Sequence, residues 1–140
     1  MFTNPIASYQ QIGIESDVRG ADPHRLIVLL FDGAEQALHQ AQTYLAANDI
    51  QGKSDSLMKA IDIILNGLSA SLDTEQGGDL ANNLKALYAY MVSRLVYANI
   101  NKNVAAVREV QTLLGELASA WREMGENLKQ NGGQNPVQIP

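Results

Sequence analysis

The sequence predicts an all-α protein: an antiparallel up-down four-helix bundle preceded by an N-terminal capping arm. Three observations carry this. Apolar residues recur at helical spacing in four successive stretches. Clusters of turn-forming residues, Asn48-Asp49, Gly77-Gly78 and Asn99 to Asn103, separate those stretches at short intervals. No segment alternates apolar and polar residues as a half-buried strand does. Short connections make sequential helices antiparallel, which gives the up-down order.

The first helix opens at Asp22, a good N-cap, with Pro23 at the position where a missing N–H costs nothing. Its apolar face is Ile27, Leu30, Ala34, Ala37, Leu38, Ala41 and Leu45. The second helix runs from about Lys53 to Leu72, with Leu57, Ile61, Ile64, Leu68 and Leu72 along one face. The third starts near Asp79 and places Leu80, Leu84, Leu87, Met91, Leu95 and Ala98 in register. Asn103 caps the fourth, whose heptad Val107, Val110, Leu114, Leu117, Trp121, Met124 and Leu128 has the spacing of a bundle seam. The predicted organisation is an arm at residues 1–21, a bundle at 22–128 and a disordered tail at 129–140. That tail is Gln, Asn, Gly and Pro, with too little apolar surface to offset its ordering entropy.

Composition narrows the function classes. A formal net charge of −5, with ten scattered Lys and Arg, argues against nucleic acid as a partner. The absence of cysteine removes disulfides and thiolate chemistry. No apolar run approaches the ~20 residues of a membrane helix, and no secretory signal is visible, so the chain is read as soluble and cytoplasmic, without membrane insertion.

The catalytic chemistries that helical bundles host are not supported. Glu35 and His39 are four apart, whereas carboxylate di-metal bundles use Glu-x-x-His. His24 and His39 lack a phosphotransfer context, and Gly52-Lys53-Ser54 lacks the upstream glycine and strand of a phosphate loop, so it is read as a helix–helix connection. The chain is read as a binding protein, not an enzyme, with no cofactor and no metal site.

A binding surface is expected on the outer faces of the middle helices. On the third helix Val92, Val96, Tyr97 and Ile100 point away from the leucine stripe, and on the second Ile63 falls nearly opposite its own. A helix that is apolar all round is normally buried all round, and a four-helix bundle has no further layer to cover these faces. Ile63, Val92, Val96 and Ile100 are the candidate contact residues. Their alternative covers are the arm or a second copy of the chain in an unloaded homodimer. In the arm, Phe2, Ile6 and Tyr9 recur at i, i+4, i+7, which makes it too apolar for an inert tail.

The approach to the third helix and the helix itself read Leu72-Asp73-x-Glu75-x-Gly77-Gly78-Asp79, then Asn83-Leu84-x-x-Leu87-Tyr88-x-Tyr90-Met91-x-x-Arg94-Leu95-x-x-Ala98-Asn99. Together with Asp22-Pro23-x-Arg25-Leu26, Tyr9-Gln10-Gln11, Leu117 and Trp121, this closely resembles the flagellin export chaperones of the FliS family. Asp79 stands where Glu is usual, and Ala89 where an acidic residue is common. The resemblance implies a cytoplasmic bundle that binds the disordered C-terminal segment of flagellin. It would prevent premature polymerisation and keep the subunit competent for flagellar type III export. It further implies delivery to the export gate component FlhA, and an arm whose Tyr9, Gln10 and Gln11 cap the binding site; the apolar spacing of the arm adds Ile6 as an anchor of that cap.

Overall fold

Asp22 accepts a hydrogen bond from the Arg25 amide at 2.7 Å and so starts the first helix as its side chain predicts. The computed structural model describes residues 22–130, with side chains described to Asn127; the arm residues Ile6, Tyr9, Gln10 and Gln11 and the end of the tail lie outside them. Four helices fill the described span: α1 (Pro23–Ala46), α2 (Ile50–Asp62, continuing as a π-helical segment Ile63–Ser69), α3 (Gly78–Asn101) and α4 (Val104–Gln130). Among the described residues there is no strand element. Each helix packs on two neighbours, α1 on α2 and α4, and α3 on α2 and α4, so the four close a ring around one core. The expected all-α four-helix bundle is the fold.

The caps explain the short connections. Asp49 accepts from the Gly52 amide at 2.9 Å and begins α2 at Ile50, three residues earlier than the apolar pattern suggests. Gly52-Lys53-Ser54 is therefore the first turn of α2 and not a connection. Lys102, in the left-handed region at φ 52°, ends α3, and Asn103 accepts from the Ala106 amide at 2.9 Å to begin α4. The last helix carries on two residues past Leu128, to Gln130.

Every α1 position expected inside is buried except Leu45, which is half-buried. The other helices depart from expectation in instructive ways. In the second, Ala60, Ile64, Leu68 and Leu72 are four apart, a spacing that drifts ~40° per step around an α-helix. The wider π turn keeps Ile64 and Leu68 on the core side. The buried Ser71 hydroxyl donates to the Gly67 carbonyl at 2.6 Å as the segment ends. Ile63, expected on the outer face, is fully buried at 0% exposure. The physical reason is that this helix lies between α1 and α3, so a wide arc of it is covered, not one stripe.

On α3 the buried face is Ala81, Tyr88, Met91, Leu95 and Ala98. Leu80, expected in the core, is exposed, and Leu84 and Leu87 are half-buried, because the first half of this helix turns Ala81 and Tyr88 to the core, roughly 80° round from that leucine stripe. On α4 the strict heptad drifts ~20° per repeat around a straight helix. The seam therefore passes from Val107, Val110 and Leu114 to Ala118 and Gly125, leaving Leu117, Trp121 and Met124 half-buried at its edge. Trp121 stacks on His24 (centroids 5.0 Å apart, planes 7° apart) and donates its indole N–H to the His24 carbonyl at 3.1 Å.

Candidate functional site

The α2–α3 seam is positioned by one residue, Asn99. The Lys53 ammonium donates to its backbone carbonyl at 2.8 Å, and the Ser54 hydroxyl donates to its side-chain oxygen at 3.1 Å. These bonds join the first turn of α2 to the last turn of α3, which makes the pair antiparallel and sets its register. Counting in opposite directions from that pair brings Met58 about level with Val96. Leu65 then falls about one turn beyond Val92.

Ile50, Met58 and Leu65 on α2 are exposed, as are Val96 (44%) and Ile100 (75%) on α3; Val92 is half-buried against the core. Six apolar side chains thus line the two rims of a groove that no fifth element among the described residues covers. The structure brings Val92, Val96 and Ile100 of the expected contact residues together there. Ile63 is removed from the set, since its side chain is spent on the core. Sequence reasoning missed Ile50, Met58 and Leu65. Met58 and Leu65 are seven apart and share a helix flank, which was the available signal.

The two seams made by α4 carry polar pairs where they meet water. Between α3 and α4, Arg94 pairs with Glu109 at 2.8 Å, and the Tyr90 hydroxyl donates to the same carboxylate. Those two hydrogen bonds, the tyrosine's first, hold the Glu109 carboxyl below its ordinary value, and the shared bond raises the Tyr90 phenol. The Arg94 guanidinium also lies 4.9 Å from the centroid of the Tyr97 ring. Between α1 and α4, Arg122 pairs with Asp32, and Gln42 donates to Gln111 at 2.7 Å. Glu35 sits beside that ion pair with one carboxylate oxygen buried and unbonded. Burial pushes its carboxyl up, with Arg122 opposing and Asp32 adding to the shift. Tyr88 is core, and burial likewise raises its phenol. Among the described residues no three potential metal-ligating side chains gather, and no helix is long and apolar enough to cross a membrane.

Among the described residues the geometry defines a class: a four-helix bundle with an uncovered apolar groove between two antiparallel helices. The model of the family described as flagellar protein FliS matches residues 5–128. Over 119 residues the chain is 47% identical to the flagellar secretion chaperone FliS of Salmonella typhimurium, covering 85% of this chain and 88% of the relative. It is 49% identical over 116 residues to the protein of the same name from Escherichia coli, covering 83% and 85%. A more distant relative of that name, from Bacillus subtilis, is 30% identical over 120 residues, covering 86% and 85%. The chain belongs to the FliS family.

Proposed function

We propose that this chain is a cytosolic export chaperone that holds the disordered C-terminal segment of flagellin along the α2–α3 groove. Occupying that segment prevents premature polymerisation and keeps the subunit competent for flagellar type III export. The observation that carries the reading is the run of exposed apolar side chains on both rims of the groove, Ile50, Met58 and Leu65 facing Val96 and Ile100. An amphipathic helix in a groove is the recognition mode such rims suit, with anchors on the partner at helical spacing. Family membership and the printed names of the relatives support the export role.

Ordering a disordered segment costs part of the gross contact energy, so a long groove with several moderate anchors fits better than one deep pocket. The arm residues Ile6, Tyr9, Gln10 and Gln11 enter the proposal as a competitor for the empty groove, and a homodimer of unloaded chains as another. Loaded with flagellin, the chaperone docks on FlhA. The work is done by binding and not by catalysis.

The test uses purified proteins. Monomeric flagellin should co-elute with the chain in size-exclusion chromatography, and flagellin lacking its C-terminal segment should not. Co-elution of both forms, or of neither, overturns the reading.

A further inference from the structure

The groove ends where the α1–α2 and α3–α4 connections meet, and at that end lies a pocket of about 180 Å³. Tyr44, Leu45, Ile50 and Val104 supply its apolar lining, and Lys53 and Lys102 its cations. Pockets for small-molecule ligands run to roughly 300–1,000 Å³, so this one has room for a single side chain and not for a cofactor.

Lys53 is unusual. It is only 5% exposed, yet among the described residues no carboxylate pairs with it. Its ammonium has three N–H donors and gives one to the Asn99 carbonyl. Buried lysines are normally paired, because an uncompensated charge out of water is costly. Asp49, the one carboxylate in the lining, already accepts from the Gly52 amide. Lys102 is exposed beside the pocket and makes no ion pair among the described residues. The helix ends cancel here, since α2 and α4 begin where α1 and α3 stop. Two lysines against one aspartate then leave the site net positive, on a chain whose formal charge is −5.

Resting on the flagellin reading, we propose that this pocket receives the free chain end of the docked segment. Its last apolar side chain packs on Tyr44, Leu45, Ile50 and Val104, and its α-carboxylate meets Lys102 and the remaining donors of Lys53. An internal acidic side chain would oblige the partner to continue across the connections, beyond the apolar rims. A chain end stops where the groove stops. The site also gives the bound segment a direction, its carboxyl end beside Ile50 and Ile100 and its body running back toward Leu65.

The experiment titrates two flagellin C-terminal peptides into the full chain by calorimetry, identical except that one ends in a free acid and the other in an amide. A charge-assisted contact to the carboxylate should make the acid bind about tenfold tighter. In Lys102→Asn, which keeps a side chain that tolerates the left-handed backbone, the preference should shrink to about threefold or less. Equal binding of acid and amide by the unaltered chain overturns the chain-end pocket alone, as does an unchanged preference in Lys102→Asn. If neither peptide binds, the groove reading falls and takes the pocket with it.

Discussion

Replacing Val96 by Asp separates surface from core, and binding from folding, in one variant. Val96 has 44% of its area exposed, so the fold relies on the remainder and a partner can bury only the exposed part. Full burial of a valine side chain is worth ~1.5–3 kcal/mol, which makes the exposed share about 0.7–1.3 kcal/mol. A carboxylate buried at the interface without a partner adds roughly 1–3 kcal/mol. The sum, about 2–4 kcal/mol, weakens binding by about 30- to 1,000-fold. Valine and aspartate have similar helix propensity, so the free chain should keep its helicity, while losing the buried share of Val96 should cost it about 1–2 kcal/mol. Calorimetric titration with the flagellin C-terminal segment and a urea melt of the free variant read the two effects. Binding within threefold of the unaltered chain would refute the groove as the site, and an unfolded variant would refute the placement of Val96 on its rim. Ile63→Asp is the paired control: with the parent side chain at 0% exposure, it should fail to fold.

Three further outcomes follow from the packing. Trp121→Ala should cost about 2–3 kcal/mol in urea unfolding followed by circular dichroism, less than a fully buried tryptophan, because the ring is half-buried and its N–H bond adds ~1 kcal/mol. A methyl at Gly125 would overlap the His24 ring, which is held by its stack on Trp121, so Gly125→Ala should destabilise by about 1–3 kcal/mol despite alanine's better helix propensity. Adding His24→Ala should then cost less than the sum of the two single changes, as a double-mutant cycle reads. Glu35, whose carboxyl is raised above its ordinary 4.5, weakens the fold where it must ionise. Glu35→Gln should therefore melt higher than the parent at neutral pH, and the gap should close as the pH falls below 4.5, where both states hold the proton.

The starts of α1 and α4 and the core of α1 were legible because their determinants are local. Asp22 and Asn103 carry their partners within three residues, and the α1 stripe repeats often enough to reveal its face. Val96 and Ile100 were legible as outward positions for the same reason. What escaped depends on neighbours distant in the chain. Ile63 is inside because two helices flank it, and Trp121 is at the edge because a heptad slides off a straight helix. Met58 and Leu65 gain meaning only once Asn99 ties α2 to α3. Lys53, read from the sequence as part of a helix–helix connection, is buried against a carbonyl 46 residues away.

Trp121 is the only tryptophan of the chain, and its ring lies against His24 at the start of α1, the end of the bundle opposite Ile50 and Lys102. Selectively excited tryptophan fluorescence therefore watches the start of α1, and is remote from the lysine pocket. An emission change on adding a tryptophan-free flagellin peptide would report that occupancy at one end is felt at the other. An unchanged spectrum alongside a calorimetric signal would mean that the two ends respond independently.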